Sequence, residues 1–260
     1  MKNRLILILS GILLLGFTSC IESFLCIDGD GFVASELRSV KAFQSIENTT
    51  EYDIIYKKSD TTGILITTDL NLMDHIETEV VNNTLEIKTR PRTACLNFSK
   101  RSVITIAGPD LKSVLLSGSG SLNADEMSGD KVSIKLSGSG DIVVERIICH
   151  NLSAAVSGSG DILLDYVRCT DSEFATSGSG TISVAGECDR EEIRISGSGM
   201  FDGRHFITRT ANIALSGSGN IHSNVSDFLK ASISGSGNIY LTGDPLIEQK
   251  TSGSGRIIKQ

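Results

Sequence analysis

An all-β solenoid of parallel strands, wound right-handed, is the fold class that the sequence predicts, and three observations carry it. The string Ser-Gly-Ser-Gly begins at Ser117, Ser137, Ser157, Ser177, Ser196, Ser216, Ser234 and Ser252, at spacings of 20, 20, 20, 19, 20, 18 and 18 residues. Sixteen of the 26 glycines lie in these eight copies. Each copy sits in an apolar-x-apolar frame, as in Ile134-Lys135-Leu136 before the second copy and Ile142-Val143-Val144 after it. A Gly/Ser linker has no long period and no apolar flanks, so the copies are structural repeats.

The alternation on either side of each copy has the period of a strand. Its parity puts Ile134, Leu136, Gly138, Gly140, Ile142 and Val144 on the inner face, and Ser137, Ser139 and Asp141 on the outer. Glycine at successive inner positions lets the backbone bend or lets another backbone approach, which places each copy at a corner or pinch. At about 3.3 Å per residue, one period closes a circuit of roughly 60 Å, enough for two or three short strands. That circuit is one rung, and stacked rungs lie about 4.8 Å apart. Right-handed winding is the default for parallel crossovers. Leucine-rich repeats need a signature that is absent here, and a propeller blade needs about twice the length.

In chain order, Lys2 and Arg4 precede the apolar run Leu5–Leu15, which fits the core of a signal peptide and is too short to span a bilayer. Gly16-Phe17-Thr18-Ser19-Cys20 resembles the lipobox of bacterial lipoproteins, with Phe17 where leucine is usual. That resemblance implies a signal peptide over 1–19 and lipid attachment at Cys20. Residues 20–34 read as a tether. Residues 35–110 lack the tetrapeptide but carry strand patterns at Tyr52–Lys57, Gly63–Thr68, Ile76–Val81, Thr84–Thr89 and Ser102–Ala107, with Asn82-Asn83 as a tight turn. They form either a β-rich cap or degenerate rungs, because the end of a solenoid core must be covered. Residues 111–260 are the repeat solenoid, and its C-terminal edge is open, with Arg256 and Lys259 as deterrents to strand pairing.

Composition narrows function by exclusion. With 31 Asp+Glu against 24 Lys+Arg, the chain of 260 residues offers no basic field for nucleic acid. Aromatics at 5% and no tryptophan argue against a dedicated sugar-stacking platform.

Repeated units such as Gly217-Ser218-Gly219-Asn220-Ile221 and Gly235-Ser236-Gly237-Asn238-Ile239, behind a lipoprotein signal, resemble the putative auto-transporter adhesin, head GIN domain family. The resemblance runs from about Phe43 to the end. It implies an all-β, solenoid-like protein of the cell envelope and brings no catalytic residues with it.

The remaining candidate residues follow from vertical alignment. Cys149, Cys169 and Cys188 lie 12, 12 and 11 residues after their motif serines, so stacked rungs place them in one column. Three neighbours cannot all pair, and a column of small thiols is preferred to one disulfide plus a free thiol. Cys26 and Cys95 can pair across the N-terminal part in an exported protein. Asp141 and Asp161 share one outward offset, and Glu145 and Asp165 another. Carboxylates about 5 Å apart suit a retaining glycosidase or a divalent cation. No basic or polar cluster converges on them, so solvated acids are the plainer reading. The histidines His75, His150, His205 and His222 share no offset, and no metal or cofactor is expected.

The expected protein is a non-enzymatic, lipid-anchored scaffold of the envelope, placed in the outer membrane. Its rigid side would meet a glycan, a host or neighbouring surface, or an envelope protein. A β-helix glycosidase or lyase using the stacked carboxylates is the alternative. A structural element that forms homo-oligomers through its open end is the third.

Overall fold

The computed structural model describes residues 26–91 and 95–260. The expected signal peptide and Cys20 lie outside the described residues.

Six long strands, Leu122–Leu136, Ile142–Val156, Ile162–Thr176, Thr181–Gly197, Met200–Gly217 and Asn220–Gly235, are successive rungs. Each pairs in parallel with the next. A final turn is divided among Ile239–Thr242, Leu246–Gly253 and Ile257–Lys259. The eight tetrapeptides therefore lie one above another, as the spacing predicts.

A rung is one continuous bent strand rather than two or three short ones. In the second rung the buried residues are Ile142, Val144, Ile147, Leu152, Ala154 and Val156. The step of two lengthens to three between Val144 and Ile147, where Glu145 and Arg146 are both exposed, and a corner forms there. A second corner falls between Cys149 and Leu152, and the tetrapeptide makes the third, so the section has three sides. Inside, like residues stack in register, as in the column Leu122, Ile142, Ile162, Ile182, Phe201 and Ile221. Each fully buried member contributes about 1.5–3 kcal/mol of hydrophobic stabilisation.

Of the two roles open to the motif glycines, close approach of backbones is the one observed. A Cβ on Gly138 would stand 1.9 Å from the carbonyl oxygen of Gly118, and one on Gly158 would stand 2.0 Å from that of Gly138. These missing side chains would point down the rod at the preceding rung rather than into the core. Backbone groups of the corner bond between rungs as well: the Ser159 N–H donates to Gly138 O at 3.3 Å.

The short period between Ser177 and Ser196 has a local cause. Leu164 pairs with Val184 but Val167 pairs with Gly186, so one residue is lost at the first corner. Gly186 takes φ +125° there, a conformation that a side chain would strain.

The N-terminal region is both a cap and a set of degenerate rungs. Ser45–Asn48 pairs in parallel with Ser113–Leu116, and Asp53–Lys58 pairs in parallel with both the first long rung and Val103–Gly108. Thr49–Tyr52 thus occupies the tetrapeptide's place. Buried Asn48 braces this corner in place of glycine, accepting from the Thr50 N–H at 3.0 Å and donating to Tyr52 O at 3.2 Å. Antiparallel strands close the end: Val33–Arg38 on Gly63–Asp69, Gly63–Asp69 on Val103–Gly108, and the hairpin Ile76–Val81 with Thr84–Thr89. Asn82 and Asn83, at φ 49° and 66°, make its turn. The tether is packed from Cys26 onward: Cys26 is disulfide-bonded to Cys95, and Ile27–Asp28 pairs with Leu96–Asn97.

Candidate functional site: the Ser-Gly edge and the face beside it

Both serines of every tetrapeptide are exposed, while the second glycine is buried in all eight copies. Ser117, Ser137, Ser157, Ser177, Ser196, Ser216, Ser234 and Ser252, with the second serine of each copy, thus form an uncharged hydroxyl edge along the rod. Near its end the Ser254 hydroxyl donates to Ser236 Oγ at 3.2 Å.

The next column is the one holding Asp141 and Asp161, and here the structure supplies a role that vertical alignment alone did not show. Asp141 Oδ1 accepts from the Asp161 N–H at 3.0 Å, and Asp161 Oδ1 from the Thr181 N–H at 2.7 Å. Asn220 and Asn238 do the same for Asn238 and Arg256, at 3.1 and 3.2 Å. In each case a short acceptor side chain ties its rung to the following one. Asp161→Ala is expected to cost about 1–2 kcal/mol in urea unfolding and Asp161→Asn markedly less, because asparagine keeps the accepting oxygen.

Glu145 and Asp165 are exposed at the first corner, on adjacent rungs, with the Arg146 guanidinium 5.9 Å from the Tyr166 ring centroid beside them. They stand four residues, roughly 13 Å of strand, beyond Asp141 and Asp161. The two carboxylate columns therefore edge opposite ends of one side and do not meet at a common point. A groove of about 420 Å³ lies along the Asp141–Asp161 end, lined in part by Val143, Leu163, Thr181 and Met200. Further along the same side, His222 stacks on Tyr240 with ring centroids 4.6 Å apart and planes 10° from parallel. Burial, then the neighbouring Arg204, lowers the pKa of His222. The two rings lie 18 residues apart, one period, and that spacing is the sequence signal for them.

Cys149, Cys169 and Cys188 border one surface groove. Cys169 and Cys188 are register partners with Sγ atoms 2.9 Å apart, whereas Cys149 stands opposite Gly129. All three are free, Cys188 buried and the others half-buried. Among the described residues no group of three or more His, Cys, Asp or Glu is placed to hold a metal ion.

Glu191 is a residue that sequence reasoning missed. It stands five positions before its motif serine, in an inward column otherwise made of Val132, Leu152, Ser172, Ala211 and Leu229. It is 4% exposed. One carboxyl oxygen accepts from Ser223 Oγ at 3.2 Å and Thr208 Oγ1 at 3.4 Å, and the other has no partner. Burial pushes its pKa up to about 8.

The sequence matches the model of the putative auto-transporter adhesin, head GIN domain family over residues 42–245. The chain belongs to this family. A putative adhesin from Parabacteroides merdae is 23% identical with a TM-score of 0.86, over 90% of this chain and 98% of its own. A protein from Parabacteroides distasonis described as a putative lipid binding protein is 28% identical with a TM-score of 0.85, over 90% and 99%. A second putative adhesin from the same species is 24% identical with a TM-score of 0.84, over 90% and 99%. No curated protein matches.

Proposed function

We propose that this GIN-domain protein is a non-enzymatic adhesin whose Ser-Gly edge and adjoining side bind a glycan. The continuous hydroxyl edge carries the reading: it is exposed, uncharged and repeated at the rung spacing, and it borders a shallow groove and the His222–Tyr240 stack. Hydroxyl-rich, weakly apolar surfaces of this kind suit sugar hydroxyls and ring faces. The carboxylate columns support the glycosidase alternative less well, since Asp141 and Asp161 already serve rung-to-rung hydrogen bonds. The test is a glycan array probed with the full chain and with Tyr240→Ala and Asp141→Asn/Asp161→Asn variants. Binding that falls with Tyr240→Ala supports the assignment. An array without binders, or binding indifferent to every one of these changes, would reject it.

The address belongs to the same proposal: export, acylation at Cys20 and residence in the outer membrane. The Cys26–Cys95 disulfide supports an oxidising compartment. Incorporation of labelled palmitate that disappears in Cys20→Ala is the expected result, and unlabelled wild type would overturn the anchor.

One observation favours self-association as a second reading. All of Leu246–Gly253 is exposed, and Glu248-Gln249-Lys250 is complementary to itself: antiparallel pairing about Gln249 sets Glu248 opposite Lys250 of a second copy. Light scattering is expected to show a dimer that Lys250→Glu dissociates and Glu248→Lys/Lys250→Glu restores. A wild type that stays monomeric at high concentration excludes it.

A further inference from the structure

We propose that Cys169 and Cys188 form a disulfide that ties the third rung to the fourth and leaves Cys149 as the free thiol. The column alone does not choose a pair; the close sulfur contact does. Cys169 and Cys188 are direct register partners, and their sulfurs stand 2.9 Å apart, inside ordinary contact of two sulfur atoms. Neighbouring strands lie about 4.8 Å apart, within the Cα separation of about 4.4–6.8 Å that a disulfide spans. Between the second and third rungs the offset stays at 20 on both sides of this level. Ile148 pairs with Arg168 and Asn151 with Asp171, so Cys149 and Cys169 share a level, but the close sulfur contact is the one between Cys169 and Cys188.

Chemistry and access agree with this choice. The Cys169 thiol donates to Cys188 Sγ, and that hydrogen bond holds the Cys188 thiol below its ordinary value. The same contact, with burial, pushes Cys169 up, while burial raises Cys149 to about 12. Cys188 is therefore the sulfur that ionises first. It borders a surface groove of about 520 Å³ shared with Cys149 and Cys169, where a small disulfide R–S–S–R can enter. The Cys188 thiolate attacks one sulfur of that disulfide and expels RS⁻. The Cys169 thiol gives its proton to the expelled thiolate and attacks Cys188 of the mixed disulfide, expelling a second RS⁻ that takes up the proton Cys188 lost on ionising. Two protein thiols are oxidised, one external disulfide is reduced to two RSH, and no other electron acceptor is needed.

The tie falls beside a polar step in the core. Ser172 and Glu191 replace apolar residues in the third and fourth rungs, so the columns lose hydrophobic cohesion beside the two cysteines. A covalent link between these rungs compensates by restricting their separation.

The experiment equilibrates the full chain with oxidised glutathione, quenches with acid, alkylates under denaturing conditions and maps the peptides by mass spectrometry. A cross-linked Cys169–Cys188 peptide with alkylated Cys149 is expected. Alkylation of all three, or a Cys149–Cys169 link, would overturn the proposal. In the same buffer Cys169→Ser is expected to melt about 4–10 °C below wild type, and the gap should close when both are reduced. A gap unchanged by reductant would mean that the substitution acts through packing, and would reject the tie as a stabilising device.

Discussion

Gly158→Ala is expected to destabilise the protein by at least about 3 kcal/mol, and Gly63→Ala to leave it within about 0.5 kcal/mol of wild type. The contrast is geometric. A methyl group at Gly158 would stand 2.0 Å from the Gly138 carbonyl oxygen, whereas nothing lies within 4 Å of one at Gly63. The atom in the way is backbone, held by rungs on both sides, and it cannot turn aside as a flexible side chain would. Relief requires parting two rungs, which lengthens the bonds that Ser157 and Ser159 donate to Leu136 O and Gly138 O, at 2.8 and 3.3 Å. Chemical unfolding of the two variants side by side checks the prediction. Near-equal stabilities would show that the repeat glycines are kept for something other than close stacking.

Glu191→Gln is expected to stabilise the protein at pH 8 by about 2–4 kcal/mol and to change little at pH 4. In the folded chain Glu191 is buried, with the hydroxyls of Ser223 and Thr208 as its hydrogen-bond donors and the thiol of Cys188 nearby, and its pKa stands at about 8 against 4.5 for an unperturbed glutamate. The folded form therefore keeps a proton that the unfolded form has released. The contribution of Glu191 to stability is greatest below pH 4.5, falls as the pH rises toward 8, and levels off above it. Glutamine keeps the accepting oxygen without the charge, so the variant should lose this contribution to the pH dependence. Melting temperatures of both proteins across pH 4–9 give the answer. A variant less stable than wild type at pH 8 would show that the carboxylate is charged and compensated in the core.

These two residues mark the limits of what could be read from the chain. The glycines declared themselves because an interaction between adjacent rungs recurs in every turn, and a physical constraint met eight times leaves eight copies in the sequence. The inner columns were legible for the same reason, and so was the Asn82-Asn83 turn, whose residue types fit its backbone. Glu191 was not, because one acid at a fixed offset looks like any other surface charge until the column it interrupts is seen. The Asp141 and Asp161 column was found, but its chemistry was not: alignment gave proximity, and only coordinates gave the hydrogen bonds to Asp161 and Thr181.

Periodicity by itself determined the winding, the register of like residues over like, and the outward hydroxyl edge, since each depends on spacing along one chain. Tertiary structure decided the three-sided section, the way Asn48 braces a corner that lacks glycine, and which two of three stacked cysteines face each other. Those outcomes turn on a residue lost at one corner or on the angle at which a side chain leaves its rung. Such small displacements leave the average repeat unchanged while deciding which atoms touch.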